Sequence, residues 1–143
     1  MSAPAADRAL SAGWPRIVLV GVGYFAIGFV TAALSRGAGA GPMHLGWRWV
    51  AWLLSAAAFA AQIWYDRVRL GAPAARAALR AAEAVAVGGF LLAAAATVHS
   101  MSTGADRLAA HLIALVAWPG LLFVPAFLVA WALAAVLARK ARG

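Results

Sequence analysis

A chain of 143 residues is one domain's worth of sequence, and with 66% of it hydrophobic and only 11% charged it holds more apolar surface than a water-soluble domain of this size can hide. Its formal net charge of +8 comes from eleven Arg and one Lys that cluster at the ends of the apolar runs, which points the charge at anionic lipid head groups and away from nucleic acid. The absence of cysteine excludes disulfides, thiolate metal sites, iron–sulfur clusters, c-type haem attachment and a cysteine lipid anchor.

Residues 1–14 read as a flexible tail of small residues with Asp7 and Arg8. Pro15 suits the first turn of a helix, where its missing N–H costs nothing. The first span is expected over 16–34, "RIVLVGVGYFAIGFVTAAL". That run exceeds a signal-peptide core, so it is read as a retained helix and not a cleaved leader. Gly21, and Gly28 with Ala32 four residues on, offer small residues to a neighbouring helix. A glycine-rich connection, 35–46, leads to a second span over 47–65. Trp47, Trp49 and Trp52 mark one of its interfaces, Trp64 and Tyr65 the other.

The stretch 66–83 is the most charged, and Gly71-Ala72-Pro73 breaks it. Beyond Pro73, Arg76, Arg80 and Glu83 recur on one helical face, with Arg80 and Glu83 spaced to pair. Ala75, Leu79 and Ala82 lie opposite. This predicts a short amphipathic helical segment on the membrane surface, leading into a third span over 82–99. Gly88 and Gly89 suit that span to close packing. Its apolar run is short for a crossing unless the preceding turns extend it. The fourth span, 108–138, would be roughly 45 Å long where about 30 Å suffices. Pro119, Gly120 and Pro125 supply bends. Residues 139–143 close the chain as a basic tail.

Four spans put nine basic residues on one side and three, Arg36, Arg48 and Arg107, on the other. The positive-inside rule then places both termini and the middle connection in the cytoplasm. Heavy use of Ala, Gly and Arg suggests a GC-rich bacterial genome, hence a bacterial inner membrane. Head-group contacts are expected from Arg67, Arg69, Arg76, Arg80, Arg139, Lys140 and Arg142.

All three histidines, His44, His99 and His111, fall on the outer side, as do Met43 and Met101. Imidazole and thioether can ligate copper, and two facing histidines such as His99 and His111 can hold a haem. There is no HxH, HxxxH or Met-rich repeat, so a polar connection between helices is the favoured reading. Ser100, Asp106 and His111 supply the residue types of a nucleophilic triad without a nucleophile elbow. A capped turn is expected instead, with Ser102, Thr103 or Asp106 starting the last helix.

Ala95 lies one turn before His99 in "AAAATVHS", and "HLIALVAWP" begins at His111. Each short stretch resembles the light-harvesting polypeptides, single-span chains in which a membrane histidine ligates a chlorophyll. That resemblance implies a chlorophyll-type pigment as a further ligand class.

Ion and proton pathways need ionisable groups within the membrane. Around the midplane stand only Tyr24, Thr31 and Ser55, which argues against a proton-coupled pump. Gln62 is expected to hydrogen-bond across helices, and Glu83 to be a salt-linked helix end. The expectation is an all-α integral membrane bundle of four transmembrane helices, N-in and C-in, packed through Gly and Ala. Its expected role is non-enzymatic, as a structural or accessory subunit in a homo-oligomer or larger membrane complex. The alternatives are a haem-, copper- or pigment-binding protein and a small carrier of lipophilic solutes.

Overall fold

Long runs of Ala, Leu, Val and Gly offer the backbone no side-chain partners. In an apolar surrounding, the helix is the structure that satisfies a single segment's hydrogen bonds from within. The computed structural model describes residues 13–37, 41–103 and 108–140. The expected tail through residue 12 with Arg8, the candidate cap Asp106, Arg107 and the C-terminal Arg142 lie outside the described residues.

Four α-helices follow one another: α1, Trp14–Gly37; α2, Pro42–Trp64; α3, Ala74–Ser102; and α4, Leu108–Lys140. A π-helical segment, Tyr65–Arg69, extends α2. Prolines sit where helices begin: Pro15 in the first turn of α1, Pro42 in that of α2, and Pro73 at the N-cap of α3. Between α2 and α3, Gly71 takes φ 59°, a left-handed conformation that a side chain would strain. α4 stays helical through Pro119 and Pro125.

Trp14–Gly37, Ala74–Ser102 and Ala109–Arg139 are long and apolar enough to cross a membrane. α2 is of similar length to α1 but is not among these three, and it carries His44, Arg48, Gln62 and four tryptophans.

α3 is the central helix. It packs extensively on α4 and on α1, while α1 and α4 do not touch among the described residues. α2 lies along α1 and meets α3 and α4 near Phe59 and Ile63. There Ile63 packs with Ala78 and Ala81 of α3 and Ala130 and Ala134 of α4. The hairpin of α1 and α2 is antiparallel over its whole length. Arg16, near the start of α1, pairs with Asp66 after the end of α2. Thr31 and Ser35, near the end of α1, share a groove with His44 and Trp47 at the start of α2.

Glycines set the closest approach of α1 and α3. A Cβ on Gly88 would lie 2.8 Å from the Tyr24 Cβ and 3.0 Å from the Gly21 carbonyl oxygen. One on Gly21 would lie 2.6 Å from a Val87 methyl carbon. Gly28 faces Leu92, and Gly89 faces Leu122 of α4. Ala32 is exposed, on the rim of the groove with His44.

Two expectations are corrected. The segment after Pro73 leads straight into the third span within one α3 of 29 residues, as expected, but the face expected to be apolar is not the one that is buried. Ala77, Ala78, Ala81, Ala82 and Ala84 are wholly buried, whereas Leu79 is 42% exposed. Residue size, not hydropathy, selects the inward face, because helices this close leave room for a methyl group and little else. The cap expectation also changes. The hydroxyls of Ser102 and Thr103 donate to the His99 carbonyl, at 2.7 and 3.1 Å, and so finish α3 instead of starting α4.

Candidate functional site

Polar side chains in an apolar chain collect where helices end, and here three ends meet. The antiparallel hairpin carries the first turn of α1 to the last turn of α2. The π-helical segment then widens the backbone, with the Leu70 N–H reaching back to the Tyr65 carbonyl at 3.2 Å. In this register Tyr65 and Val68 face outward, 40% and 57% exposed, and Asp66 is turned in, 3% exposed.

Asp66 is held from two sides. The Arg16 guanidinium stands 3.7 Å from its Oδ1 and 4.1 Å from the centre of the Tyr65 ring, a cation–π distance. The Ala72 N–H donates to the Asp66 carbonyl at 2.9 Å, and the Arg67 guanidinium donates to the Ala72 carbonyl. These bonds tie the connection to the helix end. Burial pushes the Asp66 carboxyl above its ordinary value of 3.8, and the Arg16 and Arg80 charges pull it part of the way back.

Gln62 bridges to α3. Its Nε2 donates to the Arg80 carbonyl at 3.3 Å, the cross-helix bond expected of it. Its Oε1 is buried without a hydrogen-bond partner, and so is Nε of Arg67. Arg16, Gln62, Asp66 and Arg80 line a cleft of about 260 Å³ completed by Gly13, Ile17 and Leu70. The lining offers two guanidinium groups, one carboxylate and one unengaged amide oxygen. That set can hold an anion on its donors and a hydroxyl or ammonium group on its acceptors.

The other end of the molecule carries the expected ligands. Met43 and Met101 are exposed, at 66% and 63%. His99, in the last turn of α3, is exposed, while His44 and His111 are half-buried near the starts of α2 and α4. His44 sits with Trp47, Arg48 and Trp52 beside α1 in an open groove of about 370 Å³. Among the described residues no group of three or more His, Asp or Glu is arranged to hold a metal ion. Of the arginines expected at head groups, Arg69, Arg76 and Arg139 are exposed, while Arg67 and Arg80 are half-buried. Lys140 ends α4.

Sequence reading placed Arg16 and Asp66 on the same side but did not join them. The available signal was scarcity. Asp66 is one of four acidic residues in the chain, and it directly follows the aromatic end of a span. No protein family, no curated protein and no solved structure matches the chain.

Proposed function

We propose that this chain is a four-span protein of the bacterial cytoplasmic membrane, with both termini inside, that works without catalysis as a structural or accessory subunit through helix contacts. The antiparallel course of α2 supports the fourth span. α1 has 24 residues and is therefore about 36 Å long, and α2 retraces it from one end to the other. If α1 crosses, α2 crosses beside it. The meeting of Arg16 and Arg80 in one cleft, with Arg67 bonded to the adjoining connection, supports the orientation, because positive charge is retained on the cytoplasmic face.

The observation that carries the role is an uncovered small-residue face. On α3 the alanines from Ala77 to Ala84 are sealed against neighbours. On α2, Ala56, Ala57, Ala60 and Ala61 are exposed. Alanines four residues apart let a second backbone approach closely within a bilayer, and this molecule supplies none. The partner is another membrane subunit or a second copy of the chain.

Purification from the native membrane in mild detergent tests this. A partner should co-purify at fixed stoichiometry. Ala57→Leu with Ala61→Leu should strip it while the chain stays folded, since both side chains point outward. Recovery of the native chain as a lone monomer would overturn the reading.

A further inference from the structure

We propose that the cleft at the Asp66 end is a specific site for one inner-leaflet phospholipid, its phosphodiester held by Arg16 and Arg80 and its head-group N–H or O–H donors received by Asp66 and Gln62. General attraction of basic residues to an anionic surface needs exposed charges only. This cleft has more, because it places donors and acceptors side by side in a recess between three helices.

Two of the lining groups, Arg16 and Gln62, have unfilled capacity. At 3.7 Å the contact of Arg16 with Asp66 is an ion pair too long for a hydrogen bond. Arg16 therefore keeps N–H donors for an anion, and its side chain is 43% exposed, open to an incoming phosphate. Gln62 spends its N–H on the Arg80 carbonyl, which orients the amide and leaves Oε1 buried with nothing to accept from. A buried acceptor without a donor is unfavourable, and a bare inorganic anion would not relieve it. A phosphodiester bearing glycerol hydroxyls or an ammonium group satisfies both halves of the cleft. Arg16, Arg80 and Asp66 together carry net positive charge, which suits the phosphate. Ile17 and Leu70 give the cleft an apolar wall where acyl chains begin.

The choice of lipid follows from hydrogen bonding. Phosphatidylglycerol and phosphatidylethanolamine both carry donors beyond the phosphate. Phosphatidylcholine carries a quaternary ammonium group with no N–H. The cleft should accept the first two and discriminate against the third.

Native mass spectrometry of the full-length, delipidated protein, titrated with each lipid in turn, reads this directly. Phosphatidylglycerol or phosphatidylethanolamine should bind about ten-fold more tightly than phosphatidylcholine, the effect of leaving one buried acceptor unpaired. Arg16→Gln and Arg80→Gln should each weaken binding of all three lipids. Gln62→Leu should reduce the preference over phosphatidylcholine while phosphate-dependent binding persists. Arg36→Gln, at the opposite end of α1, should change nothing. Should an arginine variant fail to fold, Gln62→Leu still decides the matter through the preference alone. Equal binding of the three lipids, or binding indifferent to both arginine variants, overturns the proposal. Displacement of bound lipid by soluble glycerol phosphate at comparable concentration also overturns it, by assigning the cleft to a soluble ester.

Discussion

A carboxylate that is 3% exposed behind a helix end is an expensive residue to keep, and Asp66 shows what keeps it tolerable. Arg16 and Arg80 offset part of the burial penalty, yet burial prevails and the carboxyl titrates above 3.8. An acid whose folded-state pKa is raised binds its proton more tightly in the folded chain. Its contribution to stability is fully present below 3.8 and is lost as pH rises through the folded value. Thermal unfolding in detergent should therefore show stability declining with rising pH across that window. Asp66→Asn, which cannot titrate, should flatten the profile there. A profile that instead climbs with pH would mean that the arginines outweigh burial. The residue types at this site could be read from the chain, but their meeting could not. Gln62 was legible because a single amide beside Trp64 and Tyr65 has few places to bond. The tilt of Asp66 depends on the wide turn at Tyr65–Arg69, and such a turn has no compositional mark that separates it from an ordinary helix end.

Helix pairs are fixed by what the side chains leave out. Gly21 and Gly88 form a reciprocal notch between α1 and α3, and each would collide with the partner helix if it carried a Cβ. Gly23, two residues along, has nothing within 4 Å of where its Cβ would be. Gly88→Ala should destabilise the fold by about 1–3 kcal/mol through overpacking. Gly23→Ala should be neutral or stabilise by up to about 1 kcal/mol, as alanine is the better helix former. Reversible unfolding in mixed micelles measures both, and equal effects at the two positions would refute the notch. The same logic explains why the segment after Pro73 looked amphipathic. The sequence pattern assigned its apolar face by hydrophobicity, which favoured Leu79. Packing assigned the face by bulk, which favoured Ala77, Ala78 and Ala81. An alanine-rich helix has little hydrophobic contrast between its sides, so its inward direction has to come from its neighbours.

For the molecule as a whole, the crossing number is decided by α2. It carries tryptophans, Arg48 and Gln62, and it is not among the helices long and apolar enough to cross, Trp14–Gly37, Ala74–Ser102 and Ala109–Arg139. Its antiparallel course along α1 makes it their equal in reach. With four crossings, reporters fused at the N- and C-termini should give the same cytoplasmic signal. With three, the signals would be opposite, so one pair of fusions separates the models. The helical class and the three long apolar helices were legible because apolar runs are local signals. The neighbour order was not, because nothing local says that α1 prefers α3 to α4. The central position of α3 also bears on biosynthesis. The ribosome releases α1 and α2 well before α3, since domains form from the N-terminus as they are made. Until α3 arrives, the face of α1 around Gly21 and Gly28 has no permanent neighbour. The nascent hairpin thus spends its early life with its best docking surface vacant, the interval in which membrane chaperones and quality-control proteases have their opportunity to engage it.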